Sequence, residues 1–376
     1  MKKFFAVAVV LAAAIALAVP AWAANVKVGG RMLTDTGWWN RSKELTTSGD
    51  DVGTIFLDLN GISYLRAVFT SADKTTGGRI ELGLKSVHAS ATTSLRYAYG
   101  WWKVGNCTLL AGQTDNWFGS AAFAPKQMVG LAHNAHLLLL GWGFLWPHRV
   151  PQVSLTWASG AYGLQIALEE PRSTRLSTEW GSNTTYDSYY NFPRISVTGK
   201  FKSGGFMTMP GLSLAVKYAK GLPSGYDDSY TVWAFVLPIK FTTGPFTVKF
   251  QGHYGQNFGA EYPFYPTSTG PALVGGKMKD TTCWGGAIGL EYKLGALALV
   301  GGAGYEKFEN SDWKSGLGYA KDNTSRWSVF VGAPYSVTKN FTVHPELAYY
   351  NHGDNPATGS DAGNEWILGL QLKFVF

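Results

Sequence analysis

Charge is scarce in this sequence: Lys, Arg, Asp and Glu make up 15% of 376 residues, against about 25% in ordinary soluble domains. The net charge of +7 is spread without a Lys/Arg cluster, so nucleic acid is not an expected partner. There are only two cysteines, Cys107 and Cys283. That excludes a disulfide framework, a paired-cysteine zinc site and a Cys-x-x-Cys-His haem attachment, and neither metal nor cofactor is expected. The two cysteines fall at opposite ends of predicted strands, so free thiols are expected. Beyond residue 23 no apolar run reaches the ~20 residues of a membrane helix; the strongest, His136 to Trp146, is interrupted by Gly141 and Gly143. H-E-x-x-H and G-x-S-x-G are both missing, and the seven histidines fall in no catalytic spacing, so an enzyme is not expected.

What is plentiful is glycine (46) and aromatic residues (21 Phe, 19 Tyr and 15 Trp). Aromatics in that number suit girdles at two membrane interfaces, and glycine suits strands that bend around a barrel. The chain opens Met1-Lys2-Lys3, runs without a polar residue from Phe4 to Val19 and reaches Ala21-Trp22-Ala23. A basic start, an apolar stretch and small residues at its end form a secretory signal. Cleavage after Ala23 is expected, which leaves 24–376 as a single domain.

That domain alternates. Trp366, Leu368, Leu370, Leu372, Phe374 and Phe376 share one face of the last segment. Trp284, Ile288, Leu290 and Tyr292 oppose Cys283, Ala287, Gly289, Glu291 and Lys293, and Phe246, Val248, Phe250 and Tyr254 oppose Lys249, Gln251 and His253. Period two with charge on one face only is the pattern of a strand between lipid and water. A slip of one residue would put Lys249, Glu291 and Lys293 into lipid, so register is strongly specified.

Seven short turns, near 71–78, 103–106, 159–161, 202–211, 242–245, 293–295 and 337–340, alternate with eight longer polar segments. Those segments lie near 39–52, 86–93, 117–148, 170–191, 221–229, 255–281, 306–325 and 351–364. Seven turns and eight loops join sixteen strands, give or take about two. The fold class is all-β: a closed antiparallel transmembrane barrel in the outer membrane, with turns in the periplasm and loops outside. Pro238 and Pro345 fall inside strands, where bulges are expected.

The longest excursion lies between the fifth and sixth strands and is too apolar around Leu137–Trp146 to be solvated. It either folds into the lumen, which the reading favours, or packs on a neighbouring subunit or across the mouth. Alternation turns Arg66, Arg79, Arg96, Arg194, Lys200, Lys217, Lys240, Lys249, Lys293 and Lys373 inward, against Asp58, Glu81, Glu169, Glu291 and Glu346. Ten cations against five acids predict a lining that favours small anions.

Residues 95–102 (Leu-Arg-Tyr-Ala-Tyr-Gly-Trp-Trp), 110–114 (Leu-Ala-Gly-Gln-Thr), 149–153 (Arg-Val-Pro-Gln-Val) and 165–171 (Gln-Ile-Ala-Leu-Glu-Glu-Pro) together resemble the DcaP-like trimeric porins. The resemblance covers residues 95–171. It implies a sixteen-stranded homotrimer that passes small anionic solutes such as dicarboxylates, with Arg96, Gln113 and Arg149 near the constriction. Two rivals to a pore stand beside it: a barrel that sheathes or binds a partner in an envelope complex, and an outer-membrane hydrolase.

Overall fold

The computed structural model describes residues 25–87, 90–127, 142–171, 175–176, 186–262, 264–266 and 269–376. The expected signal segment and residues 128–141 of the longest loop lie outside them. Sixteen antiparallel strands form the wall: β1 (Asn25–Arg41), β2 (Val52–Leu59 and Ser63–Thr70), β3 (Thr76–Val87), β4 (Ser90–Val104), β5 (Cys107–Thr114), β6 (Val150–Ser159), β7 (Tyr162–Glu169) and β8 (Arg194–Ser203). There follow β9 (Phe206–Thr208 and Gly211–Ala219), β10 (Ser229–Thr243), β11 (Phe246–Gln256), β12 (Thr282–Leu294), β13 (Leu297–Glu309), β14 (Asn323–Gly332 and Tyr335–Ser336), β15 (Phe341–Asn351) and β16 (Asn364–Val375). β1 pairs with β16, from Arg31 opposite Val375 to Arg41 opposite Glu365. The sheet therefore closes on itself and leaves no long edge for another chain to pair with. Short extra pairings, such as the Ala272–Val274 and Lys277–Lys279 hairpin, decorate the loop end.

Alternation sets the two faces as the sequence predicts. On β12, Trp284, Ile288, Leu290 and Tyr292 are exposed outwards, while Cys283, Ala287 and Glu291 are buried inside the barrel. Both cysteines are free thiols. Two expectations change. The loop expected at 86–93 is largely strand, since β3 reaches Val87, β4 resumes at Ser90, and the two pair up to Val87 opposite Ser90. Neither proline makes a bulge in its own strand: β10 and β15 keep register through Pro238 and Pro345. The neighbouring strand breaks instead, β9 at Met209–Pro210 and β14 at Ala333–Pro334. Each break keeps a bond to the proline carbonyl, Met209 N–H to Pro238 O at 3.3 Å and Ala333 N–H to Pro345 O at 3.0 Å. A proline still accepts at its carbonyl although it cannot donate.

β2 breaks differently. At Asn60–Ile62 it gains two residues over β1, so that Thr34 faces Leu59 but Arg31 faces Tyr64. The Asn60 amide donates to Asp35 at 2.6 Å and its N–H to Leu33 O at 2.8 Å, which pins the break. Two carbonyls released by it, those of Gly61 and Ile62, become acceptors for arginine side chains.

Candidate functional site

The long connection between β5 and β6 folds into the lumen. Phe123, Trp142 and Phe144 form one buried cluster with inward residues of β12 to β16, including Ala287, Val300, Phe330, Tyr350 and Ile367. Burial of each such side chain is worth about 1.5–3 kcal/mol. Polar bonds fix the same segment: Gly143 N–H donates to Glu306 at 3.1 Å, Leu145 N–H to Gln251 at 2.6 Å, and Lys249 donates to Ala124 O at 2.9 Å. Lys126 pairs with Glu291, and Gln127 bonds to Tyr350. The wall makes room by being bare. A Cβ on Gly304 would stand 1.7 Å from Trp142 O, and one on Gly289 would stand 2.8 Å from Pro125.

The opposite wall, β1 to β6, carries arginine. Tyr64 of β2 has the guanidinium carbons of Arg31, Arg66 and Arg96 at 4.9, 5.4 and 5.8 Å from its ring centre. Tyr97 of β4 has those of Arg79 and Arg149 at 4.0 and 5.0 Å. Arg31 donates to Ile62 O at 2.9 Å and Arg96 to Gly61 O at 3.0 Å, so the break in β2 holds both. Arg96 also reaches Glu81 at 2.8 Å, and Arg79 pairs with the same carboxylate. A bulge in β4, where Glu81 faces Tyr97 but Leu82 faces Leu95, adds Arg96 to the wall without displacing Tyr97. Asp115, bonded to Tyr97, stands 3.9 Å from Arg149. Five guanidiniums around these two rings thus meet the carboxylates of Glu81 and Asp115, and Asp35 and Asp58, buried on the inner face of β1 and β2, bring the acids of this wall to four. Arg31 and Arg66 form no ion pair among the described residues. Planar guanidiniums on aromatic faces are held rigidly; the Arg96 and Arg149 side chains are each 9% exposed and that of Arg79 22%.

A closed barrel with one charged wall and a loop across the lumen is the geometry of a pore, and the sequence supports it independently. The profile of the porin subfamily matches residues 147–368, more than half of the chain. The chain belongs to the porin subfamily.

This porin is similar in fold to the outer membrane channel DcaP of Acinetobacter baumannii, with a TM-score of 0.70 at 17% identity over 94% of this chain and 97% of that one. The anion-selective porin from Comamonas acidovorans gives 0.64 at 12% identity over 94% and 99%. OmpT of Vibrio cholerae in its trimer form gives 0.58 at 12% identity over 94% and 99%. No curated protein sequence matches it. Its place is the outer membrane.

The residues predicted to line the pore divide into groups. Arg66, Arg79, Arg96 and Arg149 gather on the arginine wall. Lys249 and Glu291 face inward but are engaged by the long loop. Lys200 lies inside with its ammonium 5.4 Å from the Trp117 ring, Lys240 is half-buried beside Lys249, and Lys293 is exposed at the turn end of β12.

Three of the predicted residues are corrected. Arg194 and Lys217 are fully buried in a cluster with Glu169 and Glu261, so their charge is neutralised and does not face the pore. Gln113 pairs with Ala98 and Pro151 on the outer face, and its amide donates to Leu95 O at 2.7 Å across the β4 bulge. Two residues that the sequence reading passed over belong to the site. Arg31 shares inward parity with Leu33 and Asp35, a signal that was available; Lys126 sits on a loop, where no periodicity marks it.

Proposed function

We propose that this porin passes small polar solutes and prefers anions, with compact dicarboxylates as candidate solutes. One observation carries the reading: five arginines gather around Tyr64 and Tyr97 on a wall, β1 to β6, whose inward carboxylates are Glu81, Asp115, Asp35 and Asp58. Fixed positive charge in a narrow aqueous path with low-dielectric walls raises the local concentration of anions. Neighbouring guanidiniums on Tyr64 and Tyr97 offer separate donor sets to the two ends of a dicarboxylate. The similar barrel from Comamonas acidovorans bears the name of an anion-selective porin. A sheath for a threaded partner fits less well, because the lumen is occupied by residues 118–127 and 142–146. The pore acts as a passive channel with no catalytic step assigned to it.

The test is the double substitution Arg96→Gln with Arg149→Gln, read as reversal potential in a potassium chloride gradient. Chloride preference falls while the barrel still folds, because inward polar exchanges expose no charge to lipid. An unchanged potential would remove these two residues from the selectivity wall.

A further inference from the structure

On the connection from β11 to β12, residues 257–262 and 264–266 turn into the lumen, while the 272–279 hairpin stays at the loop end. Glu261 is fully buried between Arg194 of β8 at 2.5 Å and Lys217 of β9 at 2.8 Å, and Arg194 continues to Glu169 of β7. Two cations and two carboxylates balance there, and burial pushes the neighbouring Tyr262 hydroxyl up, so it stays neutral. Removing one partner from such a cluster leaves an uncompensated buried charge, so the cluster works as a latch for this segment. Phe258 and Tyr262 beyond it share a buried cluster with Phe118 and Leu145 of the long loop.

Three residues past the latch, Phe264 meets the returning limb of the long loop. Its ring stacks on Trp146 at 5.7 Å with 8° between planes, and its carbonyl accepts from Arg326 at 3.1 Å. Trp146 in turn has the Arg149 guanidinium carbon 5.0 Å from its ring centre. Between them His148 adopts φ 71°, a left-handed conformation, with its ring 5.0 Å from Trp146 and 6.2 Å from Phe264. A non-glycine residue keeps such a backbone only where its surroundings over-determine it. Asp115 pairs with Arg149 at 3.9 Å, too far for a hydrogen bond, so the rings of Trp146 and Tyr97 add to the ion pair in orienting that guanidinium.

We infer that Phe264 is a positioning residue for selectivity: held by the Glu261 latch, it fixes Trp146, and Trp146 fixes Arg149 in the pore. This rests on the anion-selective reading above and adds a loop residue distant from the arginine wall in sequence.

A double-mutant cycle in planar bilayers tests it with the purified full-length porin, reading the chloride-to-potassium permeability ratio. Phe264→Ala lowers the ratio roughly two- to threefold, and combination with Arg149→Gln gives no more than Arg149→Gln alone, because residues acting through one another are not additive. Phe264→Tyr, which keeps the ring, retains the ratio. Should Phe264→Ala fail to fold, Phe264→Leu keeps volume without a ring and takes its place. An unchanged ratio in the ring-less variant overturns the inference, and so does an effect that adds in full to that of Arg149→Gln. A wild-type pore without anion preference is read first and refutes the underlying function, and the inference with it, before any variant is compared.

Discussion

Gly304 shows how much a missing side chain can decide. Any Cβ there would collide with the Trp142 carbonyl at 1.7 Å, so the long loop lies against β13 only because that position is bare. Gly304→Val would force the limb around Trp142 off the wall, at ~1–3 kcal/mol of overpacking. The expected outcome is a higher single-channel conductance with weaker anion preference; a conductance equal to wild type would contradict it. Parity alone located Arg66, Arg79, Lys249 and Glu291 on the inner face, since each sits in an amphipathic strand; Arg96 joins them beside inward Tyr97 only through the β4 bulge. Gln113 was misplaced because motif resemblance carries no parity; Cys107, Leu109 and Ala111 on the same face of β5 point away from the lumen. The burial of Arg194 and Lys217 was hidden for a different reason. Their partner Glu261 comes from a loop 44 or more residues away in sequence, and no local pattern announces that contact.

The strands were legible because each must satisfy lipid on one side and water on the other. Seven turns and eight connections therefore emerge from period two and turn residues, and β5 and β6 lie within two residues of their expected bounds. The β3–β4 connection was overestimated, since a polar Ser/Thr stretch at 90–94 reads as loop yet pairs as strand. The bulges expected at Pro238 and Pro345 do not form, and the interruptions opposite them, Met209–Pro210 and Ala333–Pro334, each hold a proline of their own without an N–H to donate. Outward positions near the middle of a strand should tolerate charge least. Ile288→Arg on β12 is expected to destabilise the barrel by ~2–4 kcal/mol, the cost of Arg at the bilayer midplane. Reversible unfolding from lipid vesicles measures it, and a loss below ~1 kcal/mol would argue that Ile288 does not face lipid.

Closure of β1 on β16 makes one barrel from the described chain, and of the two loops that enter it the long one brings Trp146 against Arg149 of the arginine wall. We propose that the mature porin starts at Ala24 and assembles as a homotrimer, which closed cyclic symmetry permits. The purified protein should migrate as a heat-sensitive oligomer whose subunit mass lacks residues 1–23. A monomer under mild detergent, or a subunit that retains Phe4–Val19, would contradict this. The lumen's charge decides the rest. In planar bilayers the wild-type porin should give steady ohmic steps, with a zero-current potential in a potassium chloride gradient of the sign set by chloride. That preference should shrink as ionic strength rises and screening shortens below ~8 Å. Cation preference under the same gradient would contradict the proposed role of the arginine wall.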